Sequence, residues 1–219
     1  MKRLKAHPPY ELADGTRVAG TTTITGMMAK PFLITWANRL GLGEITGFPT
    51  KVTKYVDELA DIGTLAHYLI ECELKGEEPD TSDFTTNQMT LAHRCVKKFA
   101  QWKQENPSFK PIEVELSLVS EEYRFGGTCD IYCTLNGVKT LIDLKTGRSI
   151  YPEHYVQVSA YKKLLEENGH IVDDVRILKI GRDSTEGFEY KAVPAIEKQW
   201  KKFLYCLGLY NLNKELKEV

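Results

Sequence analysis

The sequence lacks a continuous apolar run of the length that a membrane span needs. A transmembrane helix takes ~20 predominantly apolar residues, and every uncharged apolar run in this chain is much shorter. The opening residues MKRLKAHPPYEL also lack the apolar segment of a signal peptide. We therefore expect a soluble, intracellular protein, located in the cytoplasm and without a membrane partner.

Cysteine is scarce and unevenly spaced, which excludes a disulfide framework. The five cysteines are an odd number at scattered positions, and this pattern suits a reducing compartment. Cys129 and Cys133 stand four residues apart in a predicted strand, where even spacing places both side chains on one apolar face. That placement favours a packing role over a metal site for this pair.

The chain also lacks an excess of charge of either sign. Its 29 Lys and Arg against 30 Asp and Glu give a formal net charge of -1. This balance excludes a protein that binds nucleic acid through a broadly basic surface. Any phosphate contact must come from local groups such as Arg148 or the lysines of YKK and KQWKK, and each of these is also compatible with a solvated helix face.

Repeats, low-complexity tracts and linkers are absent as well. With 219 residues and 42% hydrophobic residues, the chain is long enough for one well-packed core. We expect a single domain over residues 1–219, with a helical part at about 1–110, a sheet core at about 111–194 and a C-terminal helix at about 195–217.

Hydrophobic periodicity predicts helices followed by strands. Helical spacing of apolar residues marks 56–75, about 87–105, about 153–168 and the C-terminal segment, and TTTITGMMAKPFLITWANRLG predicts a further helix near the N-terminus. Strands are predicted at IEVELSLV, FGGTCDIYCTL, VKTLIDLK, VRILKI and FEYKAV. This order indicates an α/β protein with a mixed central β-sheet flanked by helices.

A hairpin is predicted where Asn136-Gly137 separates two strand-like runs. If these two residues form the loop, Leu135 opposes Val138, and by the same register Asp130 opposes Asp143. Directly opposed residues point to the same face with Cβ atoms about 5 Å apart. The turn alone therefore predicts that two carboxylates come together within otherwise apolar strands.

Two close carboxylates repel each other, and a hard divalent cation removes that conflict. Mg²⁺ takes oxygen ligands from one or two carboxylates together with water and a substrate phosphate. Lys145 lies two residues beyond Asp143 on the same face, where it could orient a water or hold charge on a phosphoryl oxygen. The alternative is a hairpin in which Lys145 simply pairs with the two aspartates, and the hairpin pattern leaves both interpretations open.

The wider pattern resembles a known family. GTLAH at 63–67, GGTCD at 126–130, IDLKTG at 142–147 and QVSAY at 157–161 occur in the order seen in the PD-(D/E)XK nuclease superfamily. They are most similar to the branch of RecB-type and phage RecB-like exonucleases, CRISPR-associated exonucleases and the mitochondrial genome maintenance exonuclease. The resemblance covers roughly residues 20–180 and implies a restriction-endonuclease-like core.

The resemblance also implies roles for individual residues. Its metal ligands would be His67, Asp130, Asp143 and the Leu144 carbonyl, with Lys145 as the catalytic lysine. Glu115, on the polar face of the neighbouring strand, is a further candidate ligand. Gly63, one turn before His67, would let its helix approach the sheet. The residues implied to position the lysine, the metal or the DNA strand are Gln157, Tyr161, Thr146 and Arg148.

The implied activity is metal-dependent hydrolysis of DNA. The resemblance favours an exonuclease that uses one or two Mg²⁺ or Mn²⁺ ions and acts on DNA ends or single strands in recombination or repair, as in phages. Some relatives hold an iron–sulfur cluster on one early and three late cysteines, but only Cys206 lies late here, so we expect no cluster. The alternatives are a non-catalytic nucleic-acid-binding or recombination adaptor and a structure-specific endonuclease. Any protein partner is left open.

Overall fold

The structure is a computed structural model that describes residues 9–28, 30, 32–44 and 51–217. Its elements, in chain order, are β1 (Tyr10–Glu11), β2 (Arg17–Gly20), α1 (Thr21–Thr25), α2 (Phe32–Gly41), α3 (Val52–Lys75), α4 (Thr86–Glu105), β3 (Lys110–Ser120), β4 (Phe125–Leu135), β5 (Val138–Lys145), α5 (Pro152–Glu167), β6 (Asp174–Ile180), β7 (Phe188–Ala192) and α6 (Ile196–Glu215).

Within the described residues, seven strands form one mixed sheet. Its order is β1-β2-β4-β5-β6-β7, and β3 pairs with β4 outside this path. The β5–β6 and β2–β4 pairs are parallel and the remaining pairs are antiparallel. The predicted α/β class with a mixed sheet and flanking helices is confirmed. The short strands β1 and β2, which precede the N-terminal helices, were not anticipated from the sequence.

The helices that pack on the sheet begin and end at recognisable signals. Helix α3 stops at Gly76, whose φ of +70° closes the helix in the left-handed conformation. Helix α4 starts with a capping box in which Thr85 and Gln88 satisfy each other's backbone N–H groups. None of the helices within the described residues is long and apolar enough to cross a membrane.

The β4–β5 hairpin has the predicted turn and register. Asn136 and Gly137 have φ values of +52° and +81°, as a two-residue turn that matches strand twist requires. The paired residues run from Leu135–Val138 to Ile131–Ile142. The prediction from Asn-Gly is therefore confirmed over five pairs.

The two strands separate immediately after the last of these pairs. Farther along β4, Phe125 and Gly126 pair with β2 instead. At these same residues β3 pairs with the other edge of β4. Strand β2 therefore occupies the edge of β4 along which β5 pairs near the turn. The hairpin is thus a fork with Asp130 at its apex. The predicted direct opposition of Asp130 and Asp143 was wrong, since the ladder ends before it reaches them.

The alternation of β4 also breaks at the fork. Phe125 and Cys129 belong to the core under α5 and α6, whereas Ile131 and Cys133 belong to the core under α3 and α4. The prediction that Cys129 and Cys133 share one apolar face was therefore wrong, since the two side chains belong to different cores. At the same level β3 is irregular as well, because Glu115 has a φ of +53°.

Candidate metal and catalytic site

A cleft of about 1010 Å³ lies between helix α3, the fork of β4 and β5, and helix α5. It collects side chains from parts of the chain that are far apart in sequence. Those of the predicted site residues that line it are His67, Glu115, Asp130, Lys145, Thr146, Gln157 and Tyr161. Asp143 and Leu144 are buried beside the cleft wall, and Arg148 is exposed outside it, with its carbonyl accepting a bond from Lys179 Nζ at 3.1 Å.

Three side chains from three elements form a carboxylate–histidine group: His67 of α3, Glu115 of β3 and Asp130 of β4. His67 Nδ1 lies 3.8 Å from Asp130 Oδ1 and 4.0 Å from Glu115 Oε1. One ligand atom from each residue lies within 4.8 Å of the other two. Asp143 stands outside this group in the part of the chain that the structure describes.

Glu115 is held in an environment that opposes its charge. Burial and the negative charges of Asp130 and Glu71 raise the pKa of the Glu115 carboxyl to about 9, against an ordinary value of 4.5. The positive φ of Glu115 aims this side chain into the cleft at a conformational cost of about 1–3 kcal/mol. Strain and buried charge at one residue are typical of a functional position.

The Asp143 carboxylate is completely buried, and the nearby positive charge that compensates it is the ammonium group of Lys145. The Lys145 Nζ atom lies 2.5 Å from Asp143 Oδ2, while neither carboxylate oxygen has a hydrogen bond of regular geometry. Burial raises the pKa of the Asp143 carboxyl to about 6, the Lys145 charge opposes that rise, and the Asp130 charge adds to it. Lys145 thus connects a buried anion to the cleft, where its own side chain is 18% exposed.

At the apex of the fork, the Asp130 side chain forms a hydrogen bond with the backbone of β5. Its Oδ2 atom accepts a hydrogen bond from the Leu144 N–H at 2.6 Å. Leu144 is otherwise paired with β6, so this bond replaces the missing ladder bond between β4 and β5. One oxygen of Asp130 fixes the carboxylate, and the other points towards His67.

Gly63 lets α3 approach the end of β5. A Cβ atom at this position would lie 2.6 Å from Thr146 Oγ1, well inside contact distance. His67 is one turn further along the same face, so the absence of a side chain at Gly63 brings His67 to the fork. This agrees with the expectation from the sequence.

Helix α5 supplies the opposite wall. Gln157 Nε2 donates a hydrogen bond to Tyr161 Oη at 2.7 Å, one turn apart. Burial, together with the charges of Asp143 and Asp130, raises the pKa of the Tyr161 hydroxyl well above its ordinary value. Tyr161 therefore stays neutral and can donate a proton in a hydrogen bond to an anion in the cleft.

Several cleft residues were missed from the sequence. Glu71 follows His67 by one helical turn, a spacing that could have identified it. Tyr10 comes from the unanticipated β1 and reaches Thr128, with 3.0 Å between their hydroxyl oxygens. Arg182 follows β6 and carried no signal of its own.

The donor set fits a hard divalent cation. Mg²⁺ and Mn²⁺ favour carboxylate oxygens, and a neutral imidazole is also able to bind a divalent metal. Burial is the main cause of the raised pKa values of the Glu115 and Asp143 carboxyls, and the charge of Asp130 adds to both shifts, so a bound cation would favour their charged forms. His67, Glu115 and Asp130 would hold a cation in the cleft, with Asp143 beside them.

The mixed sheet with its flanking helices forms a restriction-endonuclease-like core. Residues 38–204 match the family model of the PD-(D/E)XK nuclease superfamily, and the chain belongs to this superfamily. The resemblance inferred from the sequence is confirmed. Membership of this superfamily supports a nuclease.

Three solved structures are similar to this chain to different extents. A protein from Eubacterium rectale, described as a candidate exonuclease, is similar with a TM-score of 0.51 and 11% identity over 71% of this chain and 66% of that one. An alkaline exonuclease from Laribacter hongkongensis (TM-score 0.41, 12% identity) matches over 92% of this chain and 95% of that one. A phage-related exonuclease from Haemophilus somnus 129PT (TM-score 0.39, 14% identity) matches over 94% and 97%. No curated protein sequence matches significantly.

Proposed function

We propose that the chain is a Mg²⁺- or Mn²⁺-dependent deoxyribonuclease that hydrolyses phosphodiester bonds. It acts as an exonuclease on DNA ends or single strands, in recombination or repair. The observation that carries this proposal is the carboxylate–histidine group standing in one cleft with the Asp143–Lys145 pair. A protein that only bound nucleic acid would have no physical need for a strained Glu115 or a buried aspartate beside it.

The residues divide into a cation-binding side and a phosphate-binding side. A divalent cation bound by His67, Glu115 and Asp130 would supply activation of water and neutralisation of charge on the phosphate. Lys145, held by Asp143, places an ammonium group where a phosphoryl oxygen gains negative charge. The neutral Tyr161 hydroxyl and the Gln157 amide orient the strand from the opposite wall.

The cleft shape is compatible with a single strand. It lies between α3 and α5 and is open to solvent, and its walls carry hydroxyl groups of Tyr10, Thr22 and Thr128. Such donors contact phosphate and sugar without reading sequence. This supports a sequence-tolerant enzyme. The five cysteines, all reduced and buried, suit the cytoplasm.

The test is cleavage of end-labelled single-stranded and double-stranded linear DNA by the full chain with Mg²⁺, with Mn²⁺ and with chelator. Asp130→Asn is the informative variant, because asparagine keeps an acceptor for the Leu144 N–H but loses the charge. We expect its rate to fall by about 100-fold or more, since even outer partners of a metal ligand are worth 10–100-fold. Asp57→Asn, at an exposed position of α3 outside the cleft lining, is the matched control and should leave the rate unchanged.

Two other results would contradict the proposal. DNA binding without cleavage under any metal condition would favour the adaptor. Metal-dependent cleavage of covalently closed circular DNA at the rate of the linear form would favour an endonuclease. Release of mononucleotides or short oligonucleotides from linear ends only is the expected outcome.

A further inference from the structure

Arg182 is a basic side chain in the cleft that the proposed chemistry does not use. Among the described lining residues, Lys145 and Arg182 are the only lysine or arginine side chains. We infer that Arg182 binds a phosphate of the DNA strand other than the phosphate at the carboxylate–histidine group. This inference rests on the proposed function and adds a second anchor for the strand.

The sheet topology brings Arg182 to the correct edge. Strands β5 and β6 are parallel, and their register runs to the pair Lys145–Lys179. Both strands therefore end at the same edge, and Arg182 follows β6 by two residues, as Gly147 follows β5. In sheets with parallel strands, ligands bind in the crevice beyond the carboxyl ends of the strands. The Nη2 atom of Arg182 would lie 3.9 Å from a Cβ at Gly147, which places the guanidinium beside the residues after Lys145.

Glu186 holds the Arg182 side chain in a fixed orientation. Both oxygens of Glu186 contact the guanidinium, with Nε donating to Oε2 at 3.0 Å and Nη2 donating to Oε1. The Arg182 backbone N–H donates to the same Oε2 at 2.7 Å. A guanidinium has five N–H donors, so this fork leaves three of them for another acceptor. Planar forks of this kind match phosphate oxygens.

The loop that carries Arg182 is itself braced. Lys98 Nζ of helix α4 donates to the carbonyls of Gly181 at 2.6 Å and Asp183 at 2.8 Å. Asp183 Oδ1 accepts hydrogen bonds from the Thr185 backbone N–H at 2.7 Å and from its hydroxyl at 2.7 Å. A side chain fixed before binding loses little entropy when it contacts a ligand. The brace therefore suits a binding residue that makes repeated contacts as a strand advances.

Arg182 stands beyond the carboxyl end of β5, whereas Asp130 lies at the fork. A Cβ at Gly147 would lie 3.9 Å from Arg182 Nη2, and Asp130 Oδ2 accepts a hydrogen bond from the N–H of Leu144. Leu144 and Gly147 are three residues apart, which spans at most about 10 Å of chain. Because a stacked strand advances about 3.4 Å per nucleotide, this span leaves room for a phosphate next to the scissile one.

The first test measures affinity for a fluorescein-labelled single-stranded oligonucleotide by anisotropy, with the Asp130→Asn substitution present to prevent cleavage. Arg182→Gln should weaken binding about 10–100-fold, as expected for loss of a hydrogen bond to a charged group. It should also reduce the slope of log affinity against log salt by about 0.7, the contribution of one phosphate on a single strand. Arg182→Lys should recover part of the affinity, and the exposed Arg94→Gln on α4 should change neither quantity.

The second test locates the phosphate. Oligonucleotides with one neutral methylphosphonate at successive positions should each be compared with the unmodified strand. The wild-type Arg182 protein should lose affinity at a position outside the scissile phosphate, and Arg182→Gln should show no further loss at that position. Equal losses in both proteins would overturn the inference.

A purely structural Arg182–Glu186 pair predicts a different result. Arg182→Gln and Glu186→Gln would then lower the melting temperature alike, with affinity and salt slope unchanged, and that outcome would also overturn the inference. The nuclease proposal and the inference on Arg182 can be contradicted independently. Absence of cleavage by the wild-type chain would contradict the nuclease proposal. The affinity and methylphosphonate measurements test the role of Arg182 without requiring cleavage.

Discussion

At the scale of single residues, several acidic side chains lie buried and close together at the cleft. Glu115 and Asp143 both have raised pKa values, and Asp130 contributes to both shifts. Lys145 compensates Asp143 directly, and Lys75 acts on Glu115 from a distance. Of these two carboxyls, Glu115 binds a proton more tightly than Asp143, and Glu115 is also the residue with the strained backbone.

The raised pKa of Glu115 predicts how stability depends on pH. In chelator, the folded state binds a proton at Glu115 up to about pH 9, while the unfolded state releases it near 4.5. The free energy of unfolding should therefore decrease by a few kcal/mol as pH rises through this window, with Asp143 adding in the same direction below about 6. Thermal melting from pH 5 to 9 measures this decrease.

The substitution Glu115→Gln should flatten the pH dependence and raise the melting temperature at pH 8 in chelator. Glu113→Gln, the same change two residues earlier on β3, is the matched control and should retain the wild-type slope. Addition of Mg²⁺ or Mn²⁺ should stabilise the wild-type chain at high pH but not Glu115→Gln. An unchanged slope in Glu115→Gln would show that another group is responsible.

At the scale of elements, the fork in the β4–β5 hairpin creates the site. Asn136-Gly137 fixes the register over five pairs, and this part of the hairpin was predictable from the sequence. The separation of the strands at Asp130 is a tertiary effect, because β2 replaces β5 on the edge of β4. A two-residue strand such as β1 has no detectable periodicity. The break in alternation at Asp130 could not be predicted either, because it follows from the pairing of β4 with β2.

The close approach of α3 to the end of β5 can be tested by substitution at Gly63, with Thr146→Ala as the control. Gly63→Ala would place a Cβ atom 2.6 Å from Thr146 Oγ1 and force the helix or the strand end to move. We expect cleavage to fall at least about tenfold, since small displacements of catalytic groups have large effects on rate.

Thr146→Ala removes the clashing hydroxyl and leaves the nearest Thr146 carbon at 3.9 Å, an ordinary contact. The double variant Gly63→Ala, Thr146→Ala should therefore be more stable than Gly63→Ala alone, and more stable than Thr146→Ala alone by up to about 1 kcal/mol of helix propensity. Chemical denaturation of the four proteins completes the cycle. Strictly additive effects would mean that the two positions do not meet.

At the scale of the whole molecule, a chain of net charge -1 collects charges of both signs in one cleft. Glu71, Glu115 and Asp130 line this cleft together with Lys145 and Arg182. A bound divalent cation would offset two of the three negative charges, so that the cleft would repel phosphate less and the two basic side chains could attract it. A nuclease with no basic excess therefore works through a local field rather than through its overall charge.

Much of this arrangement was predictable, and the reasons are physical. Local signals gave the helices, the hairpin and the α/β class, and the four motifs gave His67, Asp130, Lys145 and Tyr161. Long-range contacts decided the rest. Glu115, predicted only as a further candidate, joins His67 and Asp130 because β3 pairs with β4, and Arg182 lies in the cleft because β6 ends beside β5.

The proposed mechanism requires that His67, Glu115 and Asp130 bind a divalent cation. Electron paramagnetic resonance can measure this binding, because the signal of free Mn²⁺ decreases as the protein binds the ion. We predict saturable binding of one or two ions to the wild-type chain, competition by Mg²⁺, and loss of at least one ion in Asp130→Asn but not in Asp57→Asn. Identical Mn²⁺ binding by the wild-type chain and Asp130→Asn would contradict the account.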